Sequence, residues 1–433
     1  MGSGTVEALR SDRRNPEHRR VVITGIGPIT ASGIGVDAFW AGLHRGESPI
    51  RRIDRFDASM FRSQLAAQVD DFDPLDHLER KAARRLDRFG QFTLGATKLA
   101  LRDAGLDPAS VEPSRGAVQM GSALGGIAQA EEQAGVFREG GLKAVNPRLA
   151  LSVFSGAASS QTAIYSGFTG PNSTNAMSCA SGTMAIGDAW RWIRSGHADV
   201  VLAGGAEAPL APLSFGAFVL IHAMSTRNDD PAGACRPFDE ERDGFIMGEA
   251  ACVVVLEEEQ FARRRGARIY AEVSGYGTSS DAHHMTAPRP DGSSAARAMR
   301  LALETAGLAP GDVDHVNAHA SSTPLNDAAE SRVIRQVLGP RADQVPVTGT
   351  KPYYGHALGA SGAVEAAIVA LSLSRGWIPP TLNLKTPGED CDLNYVTSNS
   401  VAPGKAVAIR HALSNSFGFG GVNACLALSR VEG

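Results

Sequence analysis

The sequence has no closely spaced cysteine pair, although its 433 residues include five cysteines. The five are Cys179, Cys235, Cys252, Cys391 and Cys425. They are scattered along the chain and form no Cys-x-x-Cys motif, which argues against a disulfide framework and against a zinc site. Free cysteines without such a framework fit a reducing compartment such as the cytoplasm.

The chain also lacks a basic excess and long apolar runs. Its formal net charge is -4 at pH 7 and its pI is near 6.3, which argues against nucleic acid as the main partner. No uninterrupted apolar stretch is long enough to cross a bilayer, and the N-terminus has no signal-peptide core. We therefore expect a soluble, cytoplasmic protein with neither a membrane nor a nucleic-acid partner.

The sequence does contain an internal duplication. With 43% hydrophobic residues, the chain can form two core-bearing units. Residues 96–111 align without a gap on residues 298–313, and both segments read as an amphipathic helix ended by glycine and then proline. A short strand-like run and a loop of small residues follow each copy. The order of elements is therefore given twice.

The duplication predicts the domain organisation. Near-continuous apolar strands that alternate with helices imply sheets covered on both faces. We predict a flexible N-terminal tail at residues 1–19, an N-terminal half at 20–259 and a C-terminal half at 260–433. Active sites in such pairs tend to form where the halves meet, so groups of one half should face groups of the other.

Cys179 lies among small residues where an extended segment turns into a helix. The apolar spacing of residues 184–193 predicts that helix and places Cys179 at or near its N-terminus. Unpaired backbone N–H groups and the helix dipole favour a thiolate there, and small neighbours leave room for an acyl group. A cysteine in this setting is either a nucleophile or a small buried apolar residue.

Two histidines of the C-terminal half are the candidate partners of Cys179. His319 follows a predicted strand, and His356 lies in a run of small residues before a predicted helix at 363–370. By the duplication, this second segment occupies the place that Cys179 and its helix hold in the first half. Each histidine alone has an ordinary interpretation as a loop or core residue, whereas two that approach one cysteine favour a catalytic site.

These residues belong to a series of motifs that extends over nearly the whole chain from Arg20 onwards. The motifs are 175–183, 225–229, 236–239, 243–245, 319 with 321–324, 351 with 355–356, and 415–421. Together they resemble the elongating β-ketoacyl-acyl carrier protein synthases of type II fatty acid synthesis, in the thiolase superfamily. The resemblance implies an α/β, thiolase-like, five-layered αβαβα fold made of two duplicated halves, which normally forms a homodimer.

The resemblance also implies an acyltransferase activity. Cys179 would accept an acyl chain from an acyl carrier protein thioester. A malonyl carrier protein would then lose carbon dioxide, and its enolate would attack the acyl-Cys179 thioester to release a β-ketoacyl product two carbons longer. His319 and His356 would stabilise the enolate oxygen, and the N–H groups of Cys179 and Phe419 would hold the tetrahedral oxyanion. The resemblance implies no bound cofactor and no metal, because the substrates arrive on phosphopantetheine arms.

Further residues follow the same pattern. Lys351 matches the lysine of the family, which implies that it pairs with Glu330 and orients the histidines. Only six of the 42 basic residues are lysines, which weakens the alternative of an ordinary exposed lysine. The hydroxyls of Ser321 and Thr323 suit the amide groups of a phosphopantetheine arm.

The chain departs from the family at two places. Ala320-Ser321 stands where the family usually has Gly-Thr, which keeps the hydroxyl but reduces backbone freedom. Pro352-Tyr353-Tyr354 replaces a commoner small polar run before Gly-His. These changes leave the predicted reaction intact and bear on the choice of substrate.

Three residues are candidates for the acyl pocket. Leu124 matches the position of a chain-length gate, although a leucine there is also ordinary core packing. Phe419 resembles the mobile gate between two acyl states, with neighbouring glycines as hinge. Phe417, in the same motif, is a candidate substrate-binding residue.

A basic surface matches the site that receives the acidic carrier protein, although such a cluster is also typical of a solvated helix face. Its residues are Arg80, Lys81, Arg84, Arg85 and Arg227. We expect the acyl carrier protein to dock there.

Other functions stay open as alternatives. The nearest is the catalytic ketosynthase subunit of a type II polyketide synthase, in which case the partner can be a related, non-identical subunit. A non-enzymatic chain-length subunit would lack the reactive cysteine, a thiolase would use a second cysteine as base, and a chain-initiating synthase would have asparagine in place of His356. A hydrolytic cysteine enzyme would release free acid.

Overall fold

The computed structural model describes residues 19–399 and 408–432. Residues 1–18 of the predicted tail lie outside this part of the chain. Arg19, the last residue of that tail, is buried and forms an ion pair with Asp199 at 2.6 Å. The predicted boundary after Glu259 falls at the first residue of a short helix, and it stays a prediction.

The strands of the described residues form two sheets. They are β1 (Val21–Thr30), β2 (Gly33–Ile34), β3 (Arg51–Arg52), β4 (Leu65–Ala67), β5 (Gly116–Gly121), β6 (Asn172–Asn175), β7 (Val200–Glu207), β8 (Met247–Gly248), β9 (Ala250–Glu258), β10 (Ala271–Ser280), β11 (His315–Asn317), β12 (Val347–Thr348), β13 (His411–Gly418) and β14 (Val422–Ser429). β3, β4 and β8 form a small separate sheet, and the other strands form one large sheet.

Helices cover both faces of the large sheet. They are α1 (Val36–Arg45), α2 (Arg80–Ala83), α3 (Arg88–Ala104), α4 (Ile127–Gly140), α5 (Leu149–Ser152), α6 (Ala157–Ser166), α7 (Ser181–Arg194), α8 (Pro212–Leu220), α9 (Glu259–Arg264), α10 (Ser293–Ala306), α11 (Pro324–Leu338) and α12 (Ser361–Arg375). Short 3-10 helices lie at Pro74–Asp76, Pro108–Ser110, Pro113–Arg115, Leu142–Ala144, Ser178–Ala180, Pro310–Asp312, Gly339–Asp343, Lys351–Tyr353 and Leu358–Ala360.

The large sheet repeats itself about the central pair β10 and β1. Outward from that pair, β14, β13, β11 and β12 follow on one side, and β9, β7, β5 and β6 follow on the other. The two half-sheets join where Val22 pairs with Glu272 and Ile23 with Ala271. The two halves of the chain therefore build equivalent half-sheets, as the duplication predicts.

The helices complete a five-layered arrangement. α7 and α12 contact strands of both half-sheets, so they form the middle layer. α3 and α6 cover the outer face of the N-terminal half-sheet, and α10, backed by α11, covers that of the C-terminal one. The αβαβα layering predicted from the sequence is thus present.

The aligned segments of the repeat have the same structure. α3 and α10 both end at a glycine in the left-handed region, Gly105 with φ 58° and Gly307 with φ 68°. A 3-10 helix that begins with proline follows each of them, at Pro108–Ser110 and Pro310–Asp312. The stop signals in the sequence therefore ended both helices where they were expected to.

The two middle helices start from the same kind of turn. Ser178 and Leu358 have positive φ angles of 49° and 41°, and each opens a 3-10 turn that leads directly into α7 or α12. Near the start of α7, a Cβ on Gly182 would lie 2.7 Å from Ala363 N, and Gly362 makes the equivalent approach to α7. Small residues thus let the N-termini of both helices meet at the centre of the molecule.

One helical segment of the described chain, Leu358–Arg375, is long and apolar enough to cross a membrane. Its 18-residue window is 89% buried inside the protein, which is the setting of a core helix. α12 therefore serves as the central element of the fold.

Candidate active site

Cys179 lies in the 3-10 turn that opens α7, at the centre of the molecule. The predicted helix start is confirmed, because α7 begins at Ser181, two residues after the cysteine. The side chain is 7% exposed and packs in an apolar cluster that includes Phe215 and Leu358. The thiol is therefore reached only through a cavity.

Both predicted histidines of the other half reach this thiol. His356 Nε2 lies 3.0 Å from Cys179 Sγ, and His356 Nδ1 lies 3.0 Å from Ser361 Oγ. The ring of His319 packs edge-on against that of His356, with centroids 5.3 Å apart. The three side chains therefore lie together in one site, as the duplication predicts.

Both imidazoles are held neutral by their surroundings. Burial lowers the pKa of His319 and of His356 well below the ordinary histidine value, and the charge of Lys351 lowers it further. Neutral imidazoles can each present one N–H to a developing negative charge without burial of a second cation.

Cys179 differs from its prediction in one respect. Burial raises the pKa of its thiol to about 12, and this outweighs the opposing effects of Lys351 and of the Phe419 and Cys179 N–H groups. The direction of this shift runs against the thiolate that the helix N-terminus was expected to favour.

The predicted ion pair between Lys351 and Glu330 is wrong. Lys351 Nζ pairs instead with Glu365 Oε1 on α12 at 2.6 Å, and both side chains are fully buried. Lys351 also donates to His319 Nδ1 at 3.3 Å and to the carbonyl oxygen of His319. Lys351 is thus placed against His319, as expected, but with a different carboxylate.

Glu330 has another structural task. The backbone N–H groups of His319 and Ala320 donate to its two oxygens at 2.8 Å each, and Asn415 Nδ2 donates at 3.1 Å. Burial raises the pKa of Glu330 to about 7. The Glu330 carboxyl group therefore holds the loop that carries His319, while Glu365 forms the ion pair with Lys351.

A cavity of about 290 Å³ opens onto the thiol and both imidazoles. Its walls include Ser321, Thr323, Phe417, Phe419, Phe245 and Met285. Ser321 Oγ and Thr323 Oγ1 lie 2.9 Å apart on this wall. The structure therefore brings together the predicted hydroxyls and phenyl rings at the entrance to Cys179.

The backbone around Phe419 also faces the thiol. The N–H groups of Phe419 and Cys179 both act on Cys179 Sγ. Gly418 approaches so closely that a Cβ there would lie 3.2 Å from Cys179 N. Two backbone donors thus lie beside the sulfur, and their role in holding the oxyanion stays a prediction.

Comparison with known proteins gives the family. A model of the β-ketoacyl synthase N-terminal domain matches residues 18–262, and a model of the C-terminal domain matches residues 270–385. The protein named 3-oxoacyl-[acyl-carrier-protein] synthase 2 from Synechocystis sp. is 42% identical over 418 residues, which cover 96% of this chain and 100% of that protein. The chain belongs to the β-ketoacyl synthase family.

Solved structures agree with this assignment. A β-ketoacyl synthase from Burkholderia phymatum superposes with a TM-score of 0.87 at 36% identity, over 96% of this chain and 100% of that one. The ketosynthase of a type II PKS, solved in complex with its acyl-carrier protein and bound to a hexaketide, gives a TM-score of 0.88 at 35% identity with the same coverage. The predictions of the family, of the thiolase-like fold and of a condensing acyltransferase are therefore confirmed.

In this synthase, Leu124 is half-buried. It packs against the apolar cluster that contains Cys179 and Phe215. Its N–H donates to Glu207 Oε1 at 3.1 Å. The role of Leu124 as a chain-length gate stays a prediction.

The predicted docking residues lie on the surface. Arg80, Lys81, Arg84 and Arg85 are exposed on α2 and the turn after it. Arg227 is half-buried and lies 3.6 Å from Glu241, so part of its charge is already balanced. The first four residues therefore offer the stronger basic surface.

Four buried side chains of the synthase site were not found from the sequence: Glu207, Tyr354, Ser361 and Glu365. Glu365 was visible as the single charged residue of the apolar run 361–373, and Glu207 as the charged end of an apolar strand. Both signals point to a buried carboxylate but not to its partner. That partner depends on how distant segments pack.

The departure at Ala320 has a structural consequence. Ala320 has φ 45°, in the left-handed region that favours glycine. Its neighbour Ser322 has φ 67°. The loop that carries His319 is therefore strained where the family usually has glycine.

The thiol and the two imidazoles place their donor atoms within 4.8 Å of one another. By type and spacing they would also suit a soft divalent cation. The expectation that the protein binds neither a metal nor a cofactor stays a prediction.

Proposed function

We propose that this synthase condenses an acyl chain, held on Cys179, with a malonyl group delivered by acyl carrier protein, in fatty acid-type elongation. One observation carries the proposal: Cys179 Sγ lies 3.0 Å from His356 Nε2, and the ring of His319 packs against that of His356 in the same cavity. A nucleophile and two neutral N–H donors thus share one pocket.

The first half-reaction transfers the acyl group. Cys179 Sγ attacks the thioester carbonyl of the acyl carrier, the bond to the carrier sulfur breaks, and the proton of the thiol passes to that leaving sulfur. The N–H groups of Cys179 and Phe419 stabilise the tetrahedral oxyanion. Because one thioester replaces another, the step needs no cofactor.

The second half-reaction uses the histidines. The malonyl carboxylate leaves as carbon dioxide, and the Nε2–H groups of His319 and His356 stabilise the enolate oxygen that forms. Lys351 is a pure donor, so His319 Nδ1 beside it must accept, which puts the imidazole proton on Nε2. The enolate carbon then attacks the acyl carbonyl, and the released Cys179 thiolate takes up a proton.

Acyl carrier protein is the proposed partner. The exposed basic residues on α2 suit its acidic surface. The relatives named 3-oxoacyl-[acyl-carrier-protein] synthase 2 support a carrier-bound substrate. The hydroxyls of Ser321 and Thr323 line the cavity and suit the amides of a phosphopantetheine arm, which supports this partner.

A cytoplasmic homodimer is the proposed assembly. β6 ends the large sheet, and the chain before it exposes large apolar side chains, among them Phe137, Leu142, Leu151 and Ile164. An edge strand beside an apolar surface favours a second copy of the chain. Light scattering of the purified protein should give the mass of two chains, whereas a dimer formed only with a related subunit would contradict this proposal.

A polyketide ketosynthase is the second candidate, and its support is the likeness to the hexaketide-bound type II PKS ketosynthase. The test is incubation with a panel of acyl carrier proteins and labelled malonyl carrier protein, followed by intact-protein mass spectrometry. The proposal expects a saturated acyl adduct and a labelled β-ketoacyl product two carbons longer. A poly-β-keto adduct would favour the polyketide function, and free acid alone would exclude condensation.

A further inference from the structure

Tyr354 joins the buried charge pair behind His319. Its side chain is fully buried, and its hydroxyl donates to Glu365 Oε1 at 3.1 Å. That oxygen is the one that pairs with Lys351 Nζ at 2.6 Å. Tyr354 is therefore linked to His319 through Glu365 and Lys351.

The carboxylate of Glu365 has few other hydrogen-bond donors. Across the described residues, its second oxygen, Oε2, has no hydrogen-bond partner. A buried carboxylate stays ionised only when donors or cations compensate the loss of water. The donors to Glu365 are Lys351 and Tyr354, so removal of either should have a large effect on its charge.

We propose that Tyr354 is a positioning residue of the condensing site: its hydroxyl helps to keep Glu365 ionised, which holds Lys351 against His319 and so keeps the His319 proton on Nε2. The inference rests on the function proposed above. It gives a role to Tyr354, the last residue of the Pro352-Tyr353-Tyr354 run that departs from the family pattern.

The surrounding charges agree with this chain of contacts. Burial raises the pKa of Glu365, and the charge and hydrogen bond of Lys351 and the hydroxyl of Tyr354 lower it again. Lys351 faces His319 and His356, and Tyr354 also faces Cys235.

The sign of the pH effect follows from these contacts. Decarboxylation needs ionised Glu365, so it persists above the pKa of that carboxyl group and is lost as pH falls through it. Tyr354→Phe removes one donor and raises the pKa further. The acid limb of the pH profile should therefore move to higher pH.

The matched control is Tyr353→Phe. Tyr353 is equally buried, but its hydroxyl donates to the Pro380 carbonyl oxygen at 3.1 Å, outside the charged network. Each variant loses one buried hydroxyl: that of Tyr353 has one hydrogen bond, whereas that of Tyr354 also lies 3.4 Å from Thr350 Oγ1, an uncharged partner. A purely structural effect should appear in both, whereas a positioning effect should appear only at Tyr354.

The experiment measures carbon dioxide release from malonyl carrier protein across pH, and acyl-Cys179 formation by mass spectrometry. Tyr354→Phe should slow decarboxylation about tenfold and shift the acid limb upward by about one pH unit, while acyl transfer stays within about threefold. Tyr353→Phe should retain the wild-type profile.

An unshifted acid limb in folded Tyr354→Phe, or an equal shift in Tyr353→Phe, overturns the inference. If Tyr354→Phe does not fold, Glu365→Gln replaces it and should abolish the acid limb that depends on the carboxyl group, and an unchanged profile there also overturns the inference. A wild-type protein that forms no acyl-enzyme and releases no carbon dioxide would instead defeat the proposed function.

Discussion

The two halves of the molecule contain the same turn, but only one of them carries a nucleophile. In the first half, Ser178–Ala180 leads into α7, and in the second half Leu358–Ala360 leads into α12. Position by position, Gly359 stands where Cys179 stands. The fold therefore provides two equivalent helix N-termini, and the side chains around them decide which one can react.

The strand that faces each turn differs in its last residue. β7 ends at Glu207, whose Oε2 accepts the N–H of Gly359 at 2.9 Å. β13, the equivalent strand, ends at Gly418, which packs against the backbone of Cys179. A buried carboxylate thus holds the second turn by a hydrogen bond, whereas Gly418 places no side chain beside Cys179, in the space that we propose for the acyl group and its oxyanion.

The largest effect is expected when the nucleophile of the first turn is removed. Cys179→Ala should lower condensation by at least about 1,000-fold, because the nucleophile is gone. Cys252→Ala is the matched control, since this buried cysteine lies on β9 away from the turn, and it should retain activity within about threefold. Mass spectrometry of the acyl adduct checks both variants. An adduct on folded Cys179→Ala would contradict the claim that only the first turn carries the nucleophile.

The next effect tests the open side of the first turn. Gly418→Ala would put a methyl group 3.2 Å from Cys179 N, in the space that we assign to the oxyanion. Condensation should fall about 100-fold while the protein stays folded. Gly135→Ala on α4, where a Cβ meets nothing within 4 Å, is the control. Equal steady-state rates in Gly418→Ala and Gly135→Ala would contradict the proposal that the oxyanion occupies the space beside Gly418.

A third prediction concerns Glu207, which holds the second turn, Leu358–Ala360. Burial raises the pKa of Glu207 to about 7, so the folded protein binds a proton there that the unfolded chain releases at its ordinary, lower pKa. The stabilisation from this group is present below the ordinary glutamate pKa and is lost as pH rises through about 7.

The free energy of unfolding should therefore decline between about pH 5 and pH 7.5, and less steeply in Glu207→Gln. Glu207→Gln should also be less stable by about 2 kcal/mol, because its amide N–H₂ group opposes backbone donors. Denaturant titrations at several pH values measure the free energy of unfolding. Because the pKa of Glu330 is also raised, the stability of Glu207→Gln should still depend on pH, though less strongly. An equal decline of the unfolding free energy with pH in the wild type and in Glu207→Gln would contradict the prediction.

The smallest effect concerns the loops after β5 and β11. The first loop has glycine at its left-handed position, Gly125, whereas the second has Ser322 and also Ala320. Ala320→Gly should leave stability within about 1 kcal/mol of wild type, because relief of strain offsets the lost methyl group. Ala318→Gly, equally buried without a positive φ, should cost about 1 kcal/mol. Equal losses in thermal melts would argue against strain at Ala320.

Sequence reasoning recovered those features that local patterns determine. The repeat at 96–111 and 298–313 predicted the paired half-sheets, and the small residues around Cys179 and His356 predicted the two helix N-termini. It missed the Glu365 partner of Lys351 and the raised pKa of Cys179. Those depend on which side chains meet after packing and on how much water is excluded, and neither quantity is visible in the spacing of residues.

The division of roles between the two halves is tested most directly by carbon dioxide release from malonyl carrier protein by Cys179→Gln. We assign acyl transfer to the thiol of the first half and decarboxylation to the two imidazoles of the second. We therefore expect this variant to form no acyl-enzyme but to release carbon dioxide at the wild-type rate or faster. A folded variant that loses both activities together would contradict the division of roles.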